Sequence, residues 1–147
     1  MAKDAFAREH MQWTVSSELL FTVARRNLRA TTSYLQEFKV VTEKINTLAR
    51  VLKDDYQLDI LARAALHTAR ARLLGDWAAL VKQLWESISE LYQIYMQLWG
   101  MARCMYKNAT CPRPLVEQLC SATEDFRYQE LEPLKKGALA VRTSLQD

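Results

Sequence analysis

The chain is short of residues that break helices. Its 147 residues include only three glycines and three prolines, and neither type occurs before Gly75. So little punctuation excludes a protein of many short strands and tight turns, and it suits long helices. Histidine is scarcer still, with only His10 and His67. Neither has the base-and-orienter company that histidine catalysis needs. No run of about 18 apolar residues occurs, because Gln93, Gln97 and Arg103 interrupt the best candidate, so no spanning helix is expected. The opening residues, Met1 to Phe6, lack the apolar core and small-residue cleavage site of a signal peptide, which argues against secretion.

Cys104, Cys111 and Cys120 are an odd number in one short region, separated by six and eight residues, with no histidine nearby. That spacing suits a reducing compartment and neither a disulfide framework nor a zinc site. The expectation is small core residues plus one loop thiol, Cys111. Asn108-Ala109-Thr110 matches the glycosylation sequon, a motif that recurs by chance and needs a secretory route to matter. No Glu-x-x-His pair of di-iron bundles and no phosphate-cradling glycine loop is present. No catalytic residue, metal or cofactor is therefore expected, and the location expected is intracellular and cytoplasmic.

What the chain has in abundance is apolar residues at helical spacing. Trp77, Val81, Leu84, Ile88, Leu91, Tyr95, Leu98, Ala102 and Met105 form an unbroken stripe. Trp85, Tyr92, Met96 and Trp99 add a second stripe beside it, leaving Gln83, Glu86, Glu90, Gln93 and Gln97 as a narrow wet edge. A helix with so much apolar girth has to be covered on two sides. Residues 4 to 53 keep one register as well: Trp13, Ser17, Leu20, Ala24, Asn27, Thr31, Tyr34, Phe38, Val41, Ile45, Leu48 and Leu52. Thr31-Thr32-Ser33 with Gln36 resembles a capping box and predicts a break near Ser33, although the preserved register also allows a continuous helix. Asp54-Asp55 supplies a turn with an acidic helix start, and Gly75-Asp76 reads as a glycine C-cap followed by an aspartate N-cap.

These breaks predict an all-α fold: an antiparallel up-down bundle of four helices, roughly 4 to 31, 33 to 53, 55 to 74 and 76 to 106, in a single domain of residues 1–147 with its core in 4–107. If the helices stay straight, the alternative is a rod-like hairpin. Two prolines make residues 108 to 114 a loop, and Pro114 can open a helix. A C-terminal helical extension, 113–146, then follows as one bent or two short segments, the last starting at Pro133.

Two groups of residues carry the functional expectations. Arg25, Arg26 and Arg29 would end the first helix and Arg70 and Arg72 the third, gathering five arginines at one end of the bundle. That end would offset helix dipoles or receive an acidic partner or anionic lipid. The acidic C-terminal segment, with Glu117, Glu124, Asp125, Glu130 and Glu132, would be a solvated face or dock on those arginines. Trp85, Tyr92, Met96 and Trp99 would be either core beneath the extension or an interface, since Trp and Tyr are enriched at interface anchors. The formal charge of +3 is too mild, and its aromatic and basic residues too little interleaved, for nucleic acid.

The function expected is therefore non-catalytic: a protein-interaction, adaptor or scaffold subunit of a larger complex, meeting a protein partner or a second copy through coiled-coil-like helix packing. Rival readings are a regulator at an anionic lipid surface and a secreted four-helix signalling protein.

Overall fold

A computed structural model describes residues 2–54 and 57–146, with side chains described from Trp13 onward. The fold is all-helical among these residues. Helix α1 runs Ala2–Asp54 and α2 runs Ile60–Lys107. Helix α3, Arg113–Asp125, passes into a π-helical turn, Phe126–Leu131, and then into α4, Glu132–Thr143, without an intervening loop. No helix among the described residues is long and apolar enough to cross a membrane.

The four helices expected before residue 107 are two. Thr31, Thr32 and Ser33 lie inside α1. Thr31 is buried, and its hydroxyl is hydrogen-bonded to that of Ser87 on α2 instead of capping a helix. Elsewhere in α1 the hydroxyls of Thr22, Thr42 and Thr47 donate to carbonyls four residues back, so polar residues sit in a helix interior with their groups satisfied. Gly75 is continuous with α2 and has no positive φ, so it does not act as a left-handed cap. The N-cap of α2 is Asp59, whose Oδ1 accepts from the Ala62 N–H at 2.7 Å. Asp55, half of the expected Asp54-Asp55 turn, lies outside the described residues. Residues 108–112 form the expected loop, and Pro114 sits in the first turn of α3. Pro133 follows the π-helical turn, where its missing N–H coincides with a change of hydrogen-bond pattern.

Two compact units share the chain: Met1–Ala30 with Ile88–Pro133, and Thr31–Ser87 with Leu134–Asp147. In the first, α2 contributes buried Leu91, Tyr95, Leu98, Ala102 and Met105, the end of the expected stripe, and α3 and the π-helical turn add Val116, Leu119, Phe126 and Leu131. The second is built on Leu35, Phe38 and Ile45 of α1, Leu84 of α2 and Ala138 of α4. Within it α1 and α2 run antiparallel, since Thr31 pairs with Ser87, Thr42 with Trp77 and the Leu52 carbonyl with Arg63. Helix α4 closes one side of that pair. Asn46 is bonded to the backbone of Ser144 and Gln146, and Gly137 lets α4 approach so closely that an added Cβ would stand 3.3 Å from Leu35 Cδ2.

Candidate interaction surfaces

The other side of the α1/α2 pair in the second unit is open. There Val40, Val41, Ala79 and Leu80 line a hollow of about 570 Å³ with Gln36, Glu37 and Asp76. A second hollow of about 480 Å³, lined by Glu43, Lys44, Thr47, Leu48 and Leu73, shares Val40 with the first. Val40 is 48% exposed despite its place between them. The physical origin is the width of α1's apolar surface. Phe38, Thr42 and Ile45 are buried, while Val41 and Leu48 beside them are only half-buried and Val40, further round the helix, is exposed along the hollows. Two antiparallel helices leave such a groove on each side, and α4 covers only one.

The first unit holds a polar cluster. Arg127 Nη1 donates to the Tyr95 hydroxyl at 3.0 Å, and its guanidinium lies over the rings of Tyr95 and Tyr128 at 5.3 and 5.1 Å. Arg127 Nε stands 3.5 Å from Glu132 Oε1, an ion-pair contact too long for a good hydrogen bond. The same Oε1 accepts from the Tyr92 hydroxyl at 2.9 Å. Arg127 and Glu132 are five residues apart, a spacing that would point them to different sides of an α-helix. The π-helical turn, in which the Glu132 N–H reaches the Arg127 carbonyl, brings both toward the tyrosines of α2. Burial, followed by the hydrogen bond to Glu132 and its charge, holds the Tyr92 phenol above its ordinary pKa. The hydrogen bond to Tyr95 pushes Arg127 further up, so it is always cationic. The cluster fastens the π-helical turn to α2.

The expected site residues fall in both units. Trp85 falls in the second unit, whereas Tyr92, Met96 and Trp99 fall in the first. Tyr92 is half-buried on Glu132, Trp99 is half-buried with Tyr95 set edge-on to it at 6.4 Å, and Met96 is 66% exposed. Arg25, Arg26 and Arg29 belong to the first unit and Arg70 and Arg72 to the second, and neither α1 nor α2 ends near its own set. The breaks in α1 and α2 that were to gather these arginines are absent. Arg25 donates to Thr22, and Arg70 to the Gln146 carbonyl.

Glu117, Asp125 and Glu130 are exposed, while Glu132 is engaged as described. Cys104 is exposed instead of buried in a core, and Cys111 and Cys120 are half-buried free thiols. Burial pushes the Cys111 thiol up, which makes it a poorer nucleophile near neutral pH. His67 is exposed, and the His10 side chain lies outside those described. Among the described residues no group of three or more His, Cys, Asp or Glu is placed to hold a metal.

Sequence reasoning passed over two features. One is the groove, whose Val40, Leu73 and Leu80 have no capping or aromatic signature to draw attention. The other is an exposed apolar row on α1 in the first unit, Val15, Leu19 and Val23 at 48, 61 and 42% exposure. Its spacing of four residues was legible, but the stronger neighbouring register obscured it. Comparison with protein-family models, curated proteins and solved structures finds no match for this chain.

Proposed function

We propose that this chain is a non-catalytic interaction subunit that receives a helix of another chain in the open α1/α2 groove of its second unit. The observation that carries the reading is the groove itself: Val40, Val41, Leu48, Leu73, Ala79 and Leu80 line two adjoining hollows that share Val40. Apolar surface removed from water there contributes roughly 25 cal/mol per Å², and helix-in-groove recognition uses this geometry, with anchors at every third or fourth residue. Glu37, Glu43, Lys44 and Asp76 around the hollows would set partner choice and orientation more than affinity. Met96, exposed on α2 in the first unit, is available as a separate anchor.

Lysine-directed cross-linking in extracts of cells expressing the full chain tests the reading, because Lys44 lines the groove. The expected result is a cross-link from Lys44 to another polypeptide that disappears in Val40→Glu, while the thermal melt of that variant stays close to wild type. Cross-links from Lys44 confined to the same molecule, with no cross-linked species larger than the monomer, would overturn it.

A further inference from the structure

The groove's own chemistry narrows its occupant. Its lining carries three carboxylates, Glu37, Glu43 and Asp76, against one amine, Lys44, on a chain whose formal charge is +3. Neither Glu37 nor Asp76 has an ion-pair partner among the described residues. The complementary helix is apolar along one row and basic at one end.

Such a row exists on this chain. Val15, Leu19 and Val23 repeat every four residues along α1 in the first unit, and Arg26 continues the same row three residues on. All four are exposed, and Arg26 has no ion-pair partner among the described residues.

The lengths also agree. Val15 to Arg26 is eleven residues, and so is Glu37 to Leu48 along the α1 side of the groove, about 16 Å in each case. Laid antiparallel, the row puts Arg26 on the Glu37 and Asp76 end, Val23 against Val40 and Val15 against Leu48. Leu19 then falls beside Val41 and the alkyl stem of Lys44. A parallel alignment puts Arg26 at the Leu48 end and leaves the Glu37 and Asp76 end facing apolar residues.

We propose that the occupant of the groove is a second copy of this chain, which lays its Val15, Leu19, Val23 and Arg26 row antiparallel along the groove with Arg26 meeting Glu37. The proposal rests on the groove being a docking site. The apolar row supplies the burial, and the Arg26 to Glu37 contact fixes the direction. Two such contacts related by a two-fold axis close a dimer, and the same contact repeated head to tail makes a longer array.

The test exchanges charge across the contact. Sedimentation velocity of the full-length chain over a concentration series reads association for the wild type, Arg26→Glu, Glu37→Arg and an equimolar mixture of the two variants. Both positions are exposed, and circular dichroism checks that each variant keeps its helix content.

The expected result is concentration-dependent association of the wild type that each single variant weakens about tenfold or more. The mixture recovers it, because every contact in a mixed complex pairs opposite charges. A wild type that stays monomeric at the highest attainable concentration overturns the proposal. So does association indifferent to the reversals, or a mixture that fails to recover. A monomeric wild type whose Lys44 still cross-links to a different protein would leave the groove as a docking site and remove only the second copy as its occupant.

Discussion

The Trp77 indole N–H donates to the Thr42 hydroxyl at 3.0 Å, and that hydroxyl donates in turn to the Phe38 carbonyl at 2.7 Å. One buried threonine thereby satisfies a tryptophan of α2 and stays satisfied itself, while the Phe38 and Trp77 rings pack at 5.3 Å. Thr42→Val keeps the volume but leaves the indole N–H without its acceptor. The expected loss is about 1–2 kcal/mol, read by urea unfolding, with Thr42→Ser retaining most of the stability. A loss in Thr42→Ser larger than that in Thr42→Val would show that the methyl group matters and the hydroxyl does not.

The glycines should respond in a fixed order. Gly75 and Gly100 are interior to α2, and an added Cβ at either would meet nothing within 4 Å. Alanine at each should therefore raise stability by about 0.5–1 kcal/mol through helix propensity. At Gly137 the same Cβ would press on Leu35, so Gly137→Ala should gain less and Gly137→Val should lower the melting temperature. Differential scanning calorimetry of the four variants ranks them.

Tyr92 predicts a pH dependence confined to alkaline solution. Its phenol is held above the ordinary value of about 10, so the folded chain keeps a proton that the unfolded chain releases as pH rises. This contribution is fully present below the unfolded pKa and is lost as pH climbs through the folded one. Urea unfolding of wild type and Tyr92→Phe from about pH 8 to about pH 11 should show the difference between them shrinking only above about pH 10. A difference that stays flat across that window would exclude the hydrogen bond to Glu132 as a stabilising contact.

Two leucines should behave oppositely despite similar sequence contexts. Leu98 is fully buried in the first unit, and Leu98→Ala should cost about 2–5 kcal/mol. Leu19 is exposed, and Leu19→Ala should stay within about 0.5 kcal/mol of wild type in dilute solution. Thermal melts of both decide it, and a large loss at Leu19 would place that residue in the monomer core.

Much of the fold could be read from periodicity. The register from Trp13 to Leu52 is buried or half-buried at every position, and the wet edge of Gln83, Glu86, Glu90, Gln93 and Gln97 is exposed throughout. Periodicity reports which face of a helix is apolar, and that holds wherever the helix ends. The boundaries were not legible in the same way, because local signals compete with tertiary ones. Thr31 to Ser33 with Gln36 looks like a cap, and Gly75-Asp76 looks like a stop and a start. Ser87 engages the Thr31 hydroxyl and Trp77 packs on Phe38, and the helices run through both places.

The candidate site follows the same division. The sequence by itself determined that the chain is helical and which faces of its helices are apolar. Only the tertiary structure decided that α4 closes one side of the α1/α2 pair and leaves Val40, Leu48, Leu73 and Leu80 lining an open groove on the other. It also decided that α1 runs on past Arg25, Arg26 and Arg29 and α2 past Arg70 and Arg72. A helix pattern specifies an apolar face but not which neighbour covers it, because burial is non-directional and several partners remove the same area from water.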